Sequence, residues 1–236
     1  MSPEFSLLLL TAVSLAFLHT VTGPDHYLPF IVIAKARNWS IRKTVWFTIA
    51  CGLGHVGSSI LLGLIGIIFG LALHRLEFFE GMRGTIISWI FTAFGLVYLV
   101  WGIYRLMRKR KHHHVHYHAD GQMHLHEHNH LNDHMHVHDH DKKSITPWIL
   151  FTIFVFGPCE PLIPIVMYPA AQNNIMQLII VTGVFSLVTI ITMLSLVLLS
   201  LWGFKLLPMK SLDRYTHVLA GGTIFLCGIG MVFLGL

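Results

Sequence analysis

Charge is the scarcest commodity in this chain: only 11% of its 236 residues are Asp, Glu, Lys or Arg, against 54% hydrophobic. Soluble domains usually carry about 25% charged residues, so the composition excludes an ordinary water-soluble fold and makes the bilayer the solvent. Cysteine is equally sparse. Cys51, Cys159 and Cys227 all fall inside apolar segments, which argues against a disulfide framework of the secreted kind. The N-terminus has Glu4 in place of a basic cluster, and no small-residue cleavage pattern follows its apolar stretch. A removable signal peptide is therefore not expected.

Long apolar runs are what the chain does have. Crossing roughly 30 Å of hydrocarbon takes about 20 apolar residues in a helix. Six stretches qualify, near 5 to 33, 44 to 72, 85 to 106, 147 to 170, 175 to 203 and 216 to 236. The expected fold is an all-α membrane protein of six transmembrane helices.

The formal net charge of +5 invites a nucleic-acid reading, but the positions of the basic residues give it another meaning. Lys35, Arg37, Arg42 and Lys43 follow the first run. Arg105, Arg108, Lys109, Arg110, Lys111, Lys142 and Lys143 follow the third, and Lys205, Lys210 and Arg214 follow the fifth. Only Arg75 and Arg83 fall on the other side. By the positive-inside rule, both termini lie outside and the long middle loop is cytoplasmic, in the inner (plasma) membrane.

Two segments are one motif written twice. TGPDHYLPFIV, from Thr22 to Val32, and FGPCEPLIPIV, from Phe156 to Val166, each interrupt an apolar run with Gly-Pro. Aligned there, Asp25 stands opposite Cys159 and His26 opposite Glu160, while Leu28 and Leu162, Ile31 and Ile165, and Val32 and Val166 stay in register. The copies lie in the first and fourth spans, an odd number of crossings apart, so they enter the bilayer from opposite faces. The expectation is a 3+3 inverted repeat with a broken first helix in each repeat, a plan common among secondary transporters. Its parts are a first three-helix repeat over 1–106, a histidine-rich loop over 107–146 and a second repeat over 147–236.

Ionisable groups gather around these breaks. His19 and His26 are two helical turns apart, Asp25 adjoins His26, and His55 lies about 18 Å along the second run after Lys43. Such depth is costly for ionisable residues and points to function. His19, Asp25, His26, His55, Cys159 and Glu160 form a donor set suited to a borderline transition-metal ion. The competing explanations are kinked helices at Gly-Pro, a packing role for His55 among Gly52, Gly54, Gly57 and Ser58, and an inert buried thiol at Cys159.

Between residues 112 and 140 the chain places thirteen histidines: His112, His113, His114, His116, His118, His124, His126, His128, His130, His134, His136, His138 and His140. The segment lacks apolar periodicity, and disorder without a ligand is expected. Its imidazoles buffer metal without choosing among metals.

HTVTGPDH, GLGHVGSS and FGPCEPLIP resemble the nickel/cobalt transporters, in particular the efflux branch and the urease- or hydrogenase-associated nickel permeases. The importers write H-x4-D-H where this chain, from His19 through Asp25 to His26, has H-x5-D-H. The resemblance implies alternating-access transport of Ni²⁺ or Co²⁺, with Zn²⁺ or Fe²⁺ as further cargoes, through His19, Asp25, His26 and His55. It also implies no enzymatic activity, no resident cofactor, and metallochaperones or metalloenzyme maturation proteins as partners. The G-P-C of the second copy also resembles the transmembrane thiol carriers of cytochrome biogenesis, which use one cysteine per repeat; here Asp25 takes the first of those positions. A thiol-redox conduit and a membrane metal sensor or store are the alternatives to transport.

Overall fold

The computed structural model describes residues 2–108, 113–117, 123–127, 145–206 and 213–234. Among the described residues, eight α-helices run in chain order as α1 (Pro3–Thr22), α2 (Leu28–Ala36), α3 (Ile41–Ile68), α4 (Leu73–Arg108), α5 (Thr146–Phe156), α6 (Leu162–Ala171), α7 (Ile175–Leu206) and α8 (Thr216–Leu234). Five are long and apolar enough to cross a membrane: α1, α3, α4, α7 and α8. Their outward faces carry exposed apolar side chains such as Leu10, Leu61, Val97, Leu187 and Leu226. This is a multi-pass membrane protein.

The expected fourth span takes a different form. The run at 147 to 170 is two short helices, α5 of 11 residues and α6 of 10, parted by Gly157–Pro161. The first motif breaks the chain as well, through a 3-10 turn at Pro24–His26 between α1 and α2. Proline cannot donate to a helical ladder and glycine favours leaving one, so both Gly-Pro sites interrupt as their composition dictates.

The two half-helices after the breaks stop by the same device. Asn38 after α2 and Asn173 after α6 both adopt left-handed backbone, with φ of 50° and 54°. Trp39 N–H donates to Ala34 C=O and Asn174 N–H to Pro169 C=O, both at 2.9–3.0 Å. Asn38 and Asn173 donate to Lys35 and Ala170 in the same way. This is the Schellman arrangement, which satisfies carbonyls that a helix end would leave bare. Packing repeats along with it: α1 lies on α7 as α5 lies on α3, and α4 pairs with α8.

The α4–α8 pair approaches closely because glycines line the seam. A Cβ on Gly221 would stand 2.4 Å from Leu99 backbone atoms, and one on Gly95 2.4 Å from Phe225 N. Between membrane helices, where apolar lipid gives little hydrophobic drive, such close backbone contact is a main source of affinity.

In the histidine-rich segment, where disorder was expected, two short antiparallel strands are described: β1 (His113–Tyr117) and β2 (Met123–Glu127), with His113 opposite Glu127 and Tyr117 opposite Met123. A ladder of backbone hydrogen bonds needs no apolar face to form, which the periodicity argument ignored. His112, His118, His128, His130, His134, His136, His138 and His140 lie outside the described residues.

Gly221→Val should destabilise the protein by about 1–3 kcal/mol or more through overpacking. Gly183→Ala, whose Cβ would meet nothing within 4 Å, should be neutral or slightly stabilising. Reversible unfolding by denaturing detergent in micelles compares the two.

Candidate functional site

The first break is built around His26. Gly23 closes α1 by donating its N–H to His19 C=O at 3.0 Å, and the chain then turns through Pro24, Asp25 and His26. His26 is buried, and its Nδ1 lies 3.0 Å from Gly23 C=O and 3.1 Å from Asp25 Oδ1. Facing two oxygen acceptors, Nδ1 carries the proton and donates, which leaves the Nε2 lone pair free. A side chain at residue 23 would collide with this pair, since a Cβ there would sit 2.5 Å from His26 Nδ1.

His19 from the last turn of α1 and His55 from the middle of α3 complete the group. The His26 ring meets His19 edge-on at 4.6 Å between centroids and His55 at 5.0 Å. The His19 and His55 rings are parallel to within 10° at 6.4 Å. One ligand nitrogen from each ring lies within 4.8 Å of the others, and Nε2 of all three is buried without a hydrogen-bond partner. The group borders a cavity of about 560 Å³, also lined by Gly84, Ser88, Gly157, Glu160 and Met231.

The six residues expected to form one donor set thus divide. His19, His26 and His55 converge. Asp25 is spent on His26 Nδ1. Glu160 is exposed on the cavity wall, and Cys159 is fully buried in an apolar cluster with Val56, Leu162 and Phe185. Spacing does not distinguish one ligand type near a break from another, whereas the turn geometry sends side chains at adjacent positions 159 and 160 to different sides.

A second polar group was not anticipated. Glu80, only 1% exposed, pairs with Arg83 one turn later on α4 at 2.8 Å. Ser59 of α3 donates its hydroxyl to Glu80 Oε1 and accepts from Arg83 Nη2 at 2.7 Å. The second break is pinned to this cluster, because Cys159 N–H donates to both Ser59 Oγ and Glu80 Oε1 at 3.1 Å and Arg83 donates to Gly157 C=O at 3.2 Å. The available signal was two opposite charges three residues apart, in a segment placed outside the third apolar run because that run was begun at residue 85. In the structure α4 starts at Leu73.

A multi-pass membrane protein with two interrupted helices, facing helices that clamp them, and a polar cavity between is the class this architecture defines. The family model described as the cytochrome C biogenesis protein transmembrane region matches residues 28–233, and the chain belongs to that family. No curated protein and no solved structure matches it.

Membership corrects the nickel/cobalt transporter assignment and, with it, the expectation of nickel or cobalt transport by alternating access. The most specific piece of that resemblance is H-x5-D-H, one residue longer than the importer pattern, and the structure bonds its aspartate to His26 Nδ1. Only the part of the pattern after residue 27 lies in the matched region, which contains His55, Glu80, Arg83 and Cys159 and excludes His19, Asp25 and His26.

Removing one member of a buried ion pair strands the other and typically costs about 3–5 kcal/mol. Glu80→Ala should therefore lower stability by an amount in that range, and Glu80→Leu with Arg83→Leu by clearly less, in the same detergent unfolding assay.

Proposed function

We propose that the chain is a transmembrane thiol-redox conduit that works through a single thiol, Cys159. The observation that carries this reading is the match to the cytochrome c biogenesis transmembrane region across residues 28–233, with Cys159 set in the second helix break. In this proposal the two breaks belong to 3+3 inverted repeats in the inner membrane, with the histidine-rich segment cytoplasmic. The shared Asn38 and Asn173 terminators and the reciprocal packing of α1 on α7 and α5 on α3 support the repeat. The excess of Lys and Arg on one side supports the orientation.

The chain's other two cysteines do not supply a second sulfur. Cys51 packs with Phe30, Phe154 and Met193, and Cys227 with Phe91 and Ile224, each apart from the cluster that holds Cys159. None of the three is in a disulfide. The second sulfur is therefore external. The Cys159 thiolate attacks a substrate disulfide, forming a mixed disulfide and releasing one substrate thiolate, which takes up a proton. One thiolate of a dithiol donor arriving from the opposite face then attacks the mixed disulfide at the Cys159 sulfur, releasing the second substrate thiolate, which takes up a proton. The donor's second thiolate attacks its own sulfur in the new mixed disulfide, Cys159 leaves as thiolate, and the donor departs as a disulfide. One disulfide is consumed and one formed, so electrons balance without a cofactor.

Burial demands motion for this chemistry. Cys159 has no exposure, so the segment Gly157–Pro161 must swing to admit each partner. The clamp by Ser59, Glu80 and Arg83 fixes its resting position.

In proteoliposomes with a dithiol outside and a disulfide reporter inside, the protein should reduce the reporter. Cys159→Ser should abolish that transfer, while Cys51→Ser with Cys227→Ser should leave it intact. Transfer at the normal rate by Cys159→Ser would overturn the reading.

A further inference from the structure

The three-imidazole group has no part in thiol exchange, yet it places three ring nitrogens in a buried setting. Three buried Nε2 atoms lack partners, and leaving buried polar groups unpaired is expensive. None of the three Nε2 atoms hydrogen-bonds another. In neutral His26 the lone pair stands at Nε2, because the proton is held at Nδ1 by Gly23 C=O and Asp25 Oδ1.

We propose that His19, His26 and His55 hold a resident transition-metal ion, with Asp25 orienting His26 and no protein ligand in the fourth position, which opens on the cavity. A zinc ion binds imidazole nitrogen at about 2.0–2.1 Å in tetrahedral geometry, so nitrogens that share one stand roughly 3.3–3.4 Å apart. The present separations lie within 4.8 Å, and closing the site draws the nitrogens together by at most about 1.4 Å, shared between the rings. The donors are three neutral nitrogens, which suit zinc, copper, iron or nickel and are poor ligands for magnesium or calcium.

Asp25 plays the part of a carboxylate behind a metal-bound histidine: it fixes the tautomer and ring orientation and makes Nε2 more basic. Three protein ligands with an open position is the pattern of a site at which a small molecule or water exchanges, unlike the closed four-ligand pattern of structural sites. Glu160 and Ser88 line the same cavity and face whatever binds there. This metal site stands independently of the thiol reading, and the ion is held, not carried.

The test uses zinc with the full chain in detergent, dialysed against a chelator and then examined by elemental analysis and by anomalous scattering from crystals. Because the histidine-rich segment offers thirteen further imidazoles, the readout is the difference between variants sharing that segment. The unaltered protein should retain one zinc ion more than His55→Ala or His26→Ala, with anomalous density among the three rings. Its thermal midpoint should rise with zinc, and that rise should be missing in both variants. Asp25→Asn should still bind, with affinity lowered about 10–100-fold, and Cys159→Ser should bind normally. Equal zinc content in the unaltered protein and His55→Ala, or no anomalous density among the three rings, would overturn the site. Complete loss in Asp25→Asn would overturn the orienting role.

Discussion

Backbone that leaves its helix inside hydrocarbon survives only if other protein groups satisfy the exposed N–H and C=O, and this constraint organises the molecule. At Gly157–Pro161 the satisfaction comes from a distance. Ser59 and Glu80 accept the Cys159 N–H, Arg83 donates to the Gly157 carbonyl, and these groups reach the break from α3 and α4. Glu80 and Arg83 are affordable at that depth because each is neutralised by the other. The break, in turn, gives the pair additional hydrogen bonds. Remove either and the remaining half is an uncompensated polar group in an apolar surrounding.

The first break is satisfied locally. Gly23, Pro24, Asp25 and His26 bond among themselves, through backbone contacts that close a 3-10 turn and through a side-chain triangle of Gly23 C=O, Asp25 and His26. That difference explains how two copies of a motif come to carry different chemistry. A break pinned by its neighbours can bury a thiol at Cys159, whereas one that pins itself leaves His26 Nε2 free to face His19 and His55. Both end their half-helices with an asparagine in left-handed backbone, so the divergence is confined to the few residues at the turn.

Much of this was readable from residue order alone. The Gly-Pro positions announced both interruptions, since proline has no donor and glycine little helical preference, and the structure breaks there. The convergence of His19, His26 and His55 followed from placing each at similar depth in an apolar run. Other features resisted reading for physical reasons. The bond from Asp25 to His26 Nδ1 could not be read, because sequence proximity does not tell which atom of His26 the carboxylate will meet. The Glu80–Arg83 pair was overlooked because its charges lie where an apolar run seems to end, and only packing against Ser59 and the second break makes that depth tolerable. The family was misassigned because the motif's scaffold and its functional groups were weighed together.

By itself the sequence determined the solvent, through the shortage of charge, and the places where helices must break, through proline and glycine. Both are local properties that a neighbour cannot change. Only the tertiary structure decided which polar groups meet: a histidine trio gathered from α1, the first turn and α3, and a carboxylate–guanidinium pair set under a cysteine's backbone. Such meetings depend on the distance between elements far apart in the chain, and that distance is set by how glycine seams and half-helices pack.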